Sequence, residues 1–518
     1  MMTLIDSLAR SANCFCPMDV RAPIIEGTFD AQSYTYLARA VAKLFTETLG
    51  KRPTLAIGYD ARSHSVEMFT ALKHTLMSEG ISVVDCGMQA SPMMYAMEWL
   101  DLPSELPKLD GVLIVTASHN PAPDNGLKWT LNRTPLTKDQ VAKVKQYFVD
   151  VQEAPVILSA GVGNTEAEGS PKLGTSVDFN PTDLYIAWSK NAFPKFKTPM
   201  KVVADSGNGT GGLMSGPLFE ALGIDVIPLF AEPDGRFPNH HPDPSKEKNL
   251  ADLKRVVLEH HADFGVAFDG DSDRLGVVDN KGRWLTNDFL LLFFAESLMR
   301  QFHADPAAFG DVTPKVVSEV KCSQLLFEGL EFLGAIPVMA PTGHAYIKQV
   351  MKKEGSVLGG ELSGHFFFKD NHWGFDDAFY AALRVCQWLD EAREDAENPT
   401  LAMSDMVDKL PKTVLSEELR YKVDIAIRPQ IMLKLETLVK EQEVLGNQAM
   451  QSISKLDGLR VALEGGFALV RTSNTEPVLT LRWESDSLEN LDALETQLLH
   501  LVNKAIETAT KNASAASC

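Results

Sequence analysis

With 518 residues, Lys+Arg 49 against Asp+Glu 69 and a net charge of −20, the chain is too long for one ordinary core. It is also too acidic to be a general binder of nucleic acid or anionic membrane, so any phosphorylated substrate must be held by a local cluster of Arg and Lys. A hydrophobic fraction of 45% and a charged fraction of 23% are those of a soluble globular protein, and about 150 residues per domain predicts three or four domains. The cysteines (Cys14, Cys16, Cys86, Cys322, Cys386, Cys518) are scattered with no CxxC pair. That pattern predicts free thiols in a reducing compartment rather than a disulfide framework or zinc ribbon. The first residues lack a continuous apolar run and no stretch approaches the ~18 apolar residues of a membrane span, so a cytoplasmic location is expected.

Apolar strand-like runs alternate with amphipathic stretches over roughly the first four hundred residues, which predicts α/β units. The segments "PTLAIGYD" (53–60), "KVVADSGNG" (201–209) and "KVVSEVK" (315–321) each end a strand in polar residues, an echo that suggests three related domains. Next comes "VLIVTASHNP", where Val112–Val115 reads as a buried strand closed by an Asn120-Pro121 turn. Ligands of open α/β sheets collect outside the carboxyl ends of strands, which places Ser118 where chemistry happens; a capping or turn serine is the plain alternative. The segment "VILSAGVGNTEAEGSPKLGTS" (156–176) reads as a linker or long surface loop.

The segment "VVADSGNGTGG" matches G-x-G-x-x-G at Gly207, Gly209 and Gly212. The acidic residue that should end the next strand of a dinucleotide site is only loosely offered by Glu232 or Asp234, so the reading is a tight strand-to-helix turn. In "FGVAFDGDSDRLGVVD" (264–279) two strands flank Asp269, Asp271 and Asp273. On an extended segment, alternate residues point the same way, so the carboxylates converge and need a cation between them. Oxygen-only ligands with open positions favour Mg²⁺. An EF-hand fails, because Arg274 stands where Gly is needed and Asn280 where Glu is needed; a solvated acidic turn stays as the alternative.

Further along, Lys321 ends a strand in "SEVKCS" and His344 follows a glycine turn in "APTGHAYIKQ". "GELSGH" sets Glu361, Ser363 and His365 at alternate positions, which suits sugar hydroxyls or, equally, an edge strand with a polar face. After a break at 393–400 the pattern changes to strand, polar loop, strand and a periodic helix over 488–509, hence α+β. The loop "RTSNTEP" gathers Arg471, Ser473, Asn474 and Thr475 into an anion cradle or an ordinary hairpin. Neither a P-loop nor a G-x-S-x-G elbow is present, and adjacent Ser118 and His119 make poor geometry for a hydrolytic pair.

Taken in order, "TASHNP", "DGDSDR", "GELSGH" and "RTSNTEP" resemble the α-D-phosphohexomutase superfamily over nearly the whole chain, closest to its phosphomannomutase/phosphoglucomutase branch. The resemblance implies three related α/β domains plus a smaller C-terminal α+β domain around a central cleft, with divisions at 1–160, 172–283, 284–398 and 399–518. It implies a phosphorylated Ser118, Mg²⁺ held by Asp269, Asp271, Asp273 and a phosphoserine oxygen, and sugar hydroxyls gripped by Glu361 and Ser363. Arg471, Ser473, Asn474 and Thr475 would bind the phosphate that is not reacting. Arg21, His119, Lys128, Arg274, Lys321, His344 and His365 would lie near the substrate. Ala22-Pro23 departs from the glycine that relatives commonly carry after Arg21. The "GELSGH" loop resembles the "GEMSGH" of phosphomannomutases, whereas phosphoglucosamine mutases resemble "GEQSGH". The activity implied is interconversion of hexose 1-phosphate and 6-phosphate, of mannose and/or glucose, through a hexose 1,6-bisphosphate. The alternatives are a phosphoglucosamine mutase, a phosphatase, or a sugar-phosphate-binding relative without turnover. Partners implied are a small sugar phosphate and neither nucleic acid nor membrane, with the chain a monomer or homodimer.

Overall fold

The computed structural model describes residues 12–153, 173–193, 195–472 and 477–516. By its internal contacts the chain forms two compact units, one of residues 1–285 and 375–403, the other of residues 286–374 and 404–518.

In the first unit, the run Gly111–Val115 is buried along its whole length because the sheet is covered on both faces. Leu113 and Val115 pack with the helices Ala31–Leu49, Ser65–Ser78 and Lys138–Glu153, while Val112 and Ile114 pack with Met94 and Met97 on the other face. The helix Ala31–Leu49 starts where Asp30 accepts from the backbone N–H of Gln32 (3.1 Å) and Ser33 (3.2 Å), a cap of about 1 kcal/mol, and stops at Gly50 with φ 66°.

Three sheets repeat one strand order. In the first, Thr54–Tyr59 lies between parallel Ser82–Met88 and Gly111–Val115, and Asp124–Leu131 adds antiparallel. In the second, Lys201–Asp205 lies between parallel Asp225–Leu229 and Phe264–Phe268, and Leu275–Asp279 adds antiparallel. In the third, within the other unit, Lys315–Glu319 lies between parallel Ile336–Ala340 and Leu358–Gly360, and Phe366–Phe368 adds antiparallel. The three echoing segments thus each open one copy of the same topology. Ser118, the three aspartates and Glu361 lie in the equivalent connection of each copy, between the last parallel strand and its antiparallel neighbour.

The C-terminal part is α+β. An antiparallel sheet that includes Leu459–Leu463, Gly466–Thr472 and Val478–Ser485 carries the helices Arg428–Lys440 and Leu488–Ala516 on an apolar core. It is joined to the third sheet inside the second unit. Val320 packs on Phe467 and Leu469, Arg460 Nε donates to Val320 O at 3.0 Å, and Ser323 Oγ donates to Glu484 Oε1 at 2.6 Å. The helix Ala378–Asp395 belongs to the first unit, because Phe379 packs on Phe268 and Asp390 accepts from the backbone of Lys197 and Thr198. The expected linker at 156–176 lies largely outside the described residues; its last residue, Ser176, begins a short strand beside Ser82–Met88. Among the described residues, no helix is long and apolar enough to cross a membrane.

Candidate active site

Ser118 stands just beyond the strand Gly111–Val115 in the left-handed region, φ 55°, a conformation that costs a non-glycine residue of order 1–3 kcal/mol. Its N–H donates to Thr116 Oγ1 at 2.9 Å, and its Oγ donates to Asp269 Oδ2 at 2.8 Å and lies 3.2 Å from His119 Nδ1. The serine loop and the acidic loop therefore touch within one unit. Gly270 permits this, since a Cβ there would come within 2.5 Å of the Ser118 carbonyl oxygen.

The carboxylates converge, but not by strand alternation. Ser272 is left-handed (φ 62°), and Asp269 Oδ1 folds back to accept from the N–H of Asp273 (2.9 Å) and Arg274 (3.1 Å). The segment is a tight turn, and one oxygen from each of Asp269, Asp271 and Asp273 lies within 4.8 Å of the others. All three are buried. Burial, then the charges of Asp273 and Asp271, push the Asp269 carboxyl well above the usual carboxylate range. Lys128, on the strand beside Ser118's own, places Nζ 2.6 Å from Asp271 Oδ2 and 2.5 Å from Asp273 Oδ2. Burial opposes its charge, yet the two aspartates hold its pKa well above the ordinary value. Asp271 Oδ1 remains buried without a hydrogen-bond partner among the described residues. An oxygen-only donor set, mutual repulsion and one orphaned oxygen fit a hard divalent cation.

Arg21 reaches the serine loop through Ala117 O (3.4 Å) and Asn120 Oδ1 (3.3 Å), anchored by Asp19 at 2.8 Å. Arg274 has one long ion pair, to Asp243 at 4.0 Å, and its buried Nε has no hydrogen-bond partner among the described residues. The G-x-G-x-x-G turn is engaged internally. Thr210 N donates to Gly270 O at 3.1 Å and the turn runs into a 3₁₀ segment, so it supports the acidic loop from beneath.

In the second unit, Glu361, Ser363 and His365 sit in a turn between Leu358–Gly360 and Phe366–Phe368, not along a strand. Ser363 Oγ donates to Glu361 Oε1, and His365 Nδ1 lies 2.7 Å from Glu361 Oε1 and 2.8 Å from Ser363 Oγ. Burial alone would raise the Glu361 carboxyl, but His365, the charge of His344 and the Ser363 hydroxyl together hold it below the carboxylate range. The His344 ring stacks on that of His365, with centroids 5.4 Å apart. Lys321 Nζ is 3.4 Å from Glu319 Oε2, and Glu319 Oε1 accepts from Leu362 N at 3.0 Å. Arg471, at the end of Gly466–Thr472, pairs with Asp457 at 2.8 Å. Ser473, Asn474 and Thr475 lie outside the described residues.

Pattern reading missed Asp60, Arg62, Ser91, Glu319 and Asp457. Ser91 Oγ donates to Asp271 Oδ2 at 2.5 Å, and Asp60 accepts from Thr116 Oγ1 at 2.7 Å. "GYDARSHS" carried the available signal, an acid and an arginine just past a buried strand.

The sequence matches four family domains in chain order: phosphoglucomutase/phosphomannomutase alpha/beta/alpha domains I (residues 13–154), II (184–282) and III (286–411), and the C-terminal domain (430–501). A phosphomannomutase/phosphoglucomutase of Pseudomonas aeruginosa is 35% identical over 486 residues, 94% of each chain. A phosphoglucomutase of Neisseria gonorrhoeae is 33% identical, covering 93% of this chain and 95% of the relative. The crystal structure of a phosphoglucomutase/phosphomannomutase family protein from Burkholderia thailandensis aligns with TM-score 0.80 at 30% identity, covering 95% of this chain and 98% of that one. Repeated α/β units with an α+β C-terminal part, in this company, define a phosphohexomutase, an isomerase. The chain belongs to the phosphoglucomutase/phosphomannomutase family, within the α-D-phosphohexomutase superfamily.

Proposed function

We propose that the chain interconverts the 1- and 6-phosphates of mannose and/or glucose, in the cytoplasm, as a monomer or homodimer. The observation that carries this reading is the 2.8 Å contact of Ser118 Oγ with Asp269 in a loop where three carboxylates gather. Ser118, phosphorylated at Oγ, gives its phosphoryl group to the free hydroxyl of a bound hexose monophosphate. The P–Oγ bond breaks and Oγ takes up a proton, a bond from phosphorus to the sugar oxygen forms, and a base takes the hydroxyl proton. The product is a hexose 1,6-bisphosphate, which turns around so that Ser118 takes back the other phosphate. His119 Nδ1, beside Ser118 Oγ, orients that oxygen or handles its proton.

Asp269, Asp271 and Asp273, with an oxygen on Ser118, would hold Mg²⁺, which when bound neutralises charge on the transferring phosphoryl group. Lys128, Arg21 and Arg274 add positive charge around the same loop. Glu361 and Ser363, with His365, His344 and Lys321 nearby, bind sugar hydroxyls. Arg471, with Ser473, Asn474 and Thr475, anchors the phosphate at rest. The matched segments support a four-domain division with breaks near 160/172 and 283/284, whereas the third match runs past the proposed 398/399 break to residue 411.

The test is turnover of mannose 1-phosphate, glucose 1-phosphate and glucosamine 1-phosphate with Mg²⁺ and glucose 1,6-bisphosphate. Conversion of the first two to 6-phosphates is expected. Faster conversion of glucosamine 1-phosphate would move the chain to that branch, release of free phosphate would make it a phosphatase, and no conversion would leave a binding protein.

A further inference from the structure

Arg62 is fully buried, and its guanidinium is spent almost entirely on one short stretch of backbone. Nη2 donates to Ser118 O and Asn120 O, both at 2.7 Å, and Nη1 donates to Pro121 O at 2.6 Å and Asp124 O at 2.9 Å. Nε donates to Asp60 Oδ2 at 3.1 Å. Asp60 in turn accepts from Arg62 N (3.0 Å), Ser65 Oγ (2.6 Å) and Thr116 Oγ1 (2.7 Å), and Thr116 Oγ1 accepts from Ser118 N. Both peptide faces of Ser118 are therefore tied to one buried ion pair.

The ion pair is itself covered. The Phe237 ring lies 5.4 Å from the guanidinium carbon, and Gly235 packs so closely that a Cβ there would come within 2.4 Å of Arg62 Cα. Such expenditure exceeds what an ordinary turn needs. A left-handed serine before an Asn-Pro turn relaxes unless its carbonyl is held, and relaxation would turn Oγ away from Asp269.

We propose that Arg62 is the positioning residue for phosphoryl transfer at Ser118: by gathering the carbonyls of residues 118, 120, 121 and 124 on one fork, it fixes the left-handed serine from which Oγ reaches Asp269. The inference rests on the reading of Ser118 as the phosphoryl carrier. A fork is required, because an ammonium cannot present four donors in one plane to four carbonyls while also reaching Asp60. Arg62 makes none of the contacts that bind a sugar or its resting phosphate, so its loss falls on the transfer step and not on substrate affinity.

The experiment compares wild type, Arg62→Lys, Asp60→Asn and Ser118→Ala as full-length, Mg²⁺-loaded protein. It measures kcat and KM for glucose 1-phosphate, the rate at which glucose 1,6-bisphosphate phosphorylates the protein by intact mass, and folding by circular dichroism. Arg62→Lys should lower kcat and the phosphorylation rate together by about ten- to a hundred-fold, the scale of a small misplacement of a reacting atom, with KM within about twofold. Asp60→Asn, which leaves the carbonyl contacts but weakens the anchor, should move both rates the same way by less, and it decides the matter if Arg62→Lys does not fold. Wild-type kcat and phosphorylation rate in whichever of these variants is folded would overturn the proposal, as would a raised KM at unchanged kcat. Phosphorylation and activity persisting in Ser118→Ala would instead overturn the reading of Ser118, and that result is distinct.

Discussion

Ser118 Oγ donates to Asp269 Oδ2 across 2.8 Å, joining two loops that lie 151 positions apart in the chain. Three clustered buried carboxylates are costly as a purely structural feature, and a hydroxyl bonded to one of them stands where a phosphoryl carrier beside a cation would. Ser118→Ala should lower kcat by roughly a thousandfold or more, as loss of a covalent carrier does, with circular dichroism unchanged. Intact mass should show a phosphate on wild type after treatment with glucose 1,6-bisphosphate and none on the variant. Retained turnover would remove Ser118 from the mechanism.

The orphaned oxygen of Asp271 gives a second expectation. Asp271→Asn keeps an acceptor for Ser91 and Lys128 at the position of Oδ2 but deletes one of three charges. Loss of even an outer partner of a metal site costs about ten- to a hundred-fold in affinity, so the variant should bind Mg²⁺ at least about tenfold more weakly by calorimetry. Chelator should slow the wild type in parallel. Equal Mg²⁺ binding by both proteins would leave the loop an acidic turn.

Much of this site was legible because strand ends can be read from sequence. The run at 112–115 is apolar on both faces, so the polar residues after it had to sit at the sheet's carboxyl edge, and Ser118 does. The gathering of Asp269, Asp271 and Asp273 was also legible, but its cause was not: a left-handed Ser272 and a carboxylate capping its own turn replace the expected alternation. Arg62 left only the faint signal of an acid and an arginine just past a buried strand, and Asp457 left no local pattern. Each acts on a partner distant in sequence, Arg62 on the carbonyl of Ser118 and Asp457 on Thr342, and such pairs exist only once the topology is known. The equivalence of the three loops was hidden likewise, since it lies in strand order and not in residue identity.

Glu98 offers a test of burial against hydrogen bonding. Its carboxylate accepts from Thr130 Oγ1 at 2.5 Å and Arg133 N at 2.8 Å, yet burial wins and raises its pKa above the ordinary 4.5. The unfolded chain therefore loses this proton first as pH rises, and Glu98's contribution to folding stability falls between pH 4.5 and the raised folded value, then stays level. Glu98→Gln carries no such penalty. The stability of the variant relative to wild type, from urea unfolding, should be more favourable at pH 7.5 than at pH 4.5. An equal difference at both pH values would mean that burial does not govern this group.

Arg471 tests the turning step. Its guanidinium is held by Asp457 Oδ2 at 2.8 Å, the same oxygen that accepts from Thr342 N at 2.9 Å, so one carboxylate joins the proposed phosphate anchor to the loop that leads into His344. Arg471→Ala deletes a charge-assisted contact to the phosphate at rest, and hydrogen bonds to charged groups contribute ~1.5–3 kcal/mol each. The loss in kcat/KM should be roughly ten- to a hundred-fold. The bisphosphate should also escape more readily between transfers and leave Ser118 without its phosphate, so turnover should depend more steeply on added glucose 1,6-bisphosphate. Asp457→Asn keeps the guanidinium but loosens it, and should show the same dependence in milder form. Phosphorylation of Ser118 by the activator should persist in both variants, because the serine and aspartate loops are untouched. Normal KM and normal activator dependence in Arg471→Ala would place the phosphate anchor elsewhere.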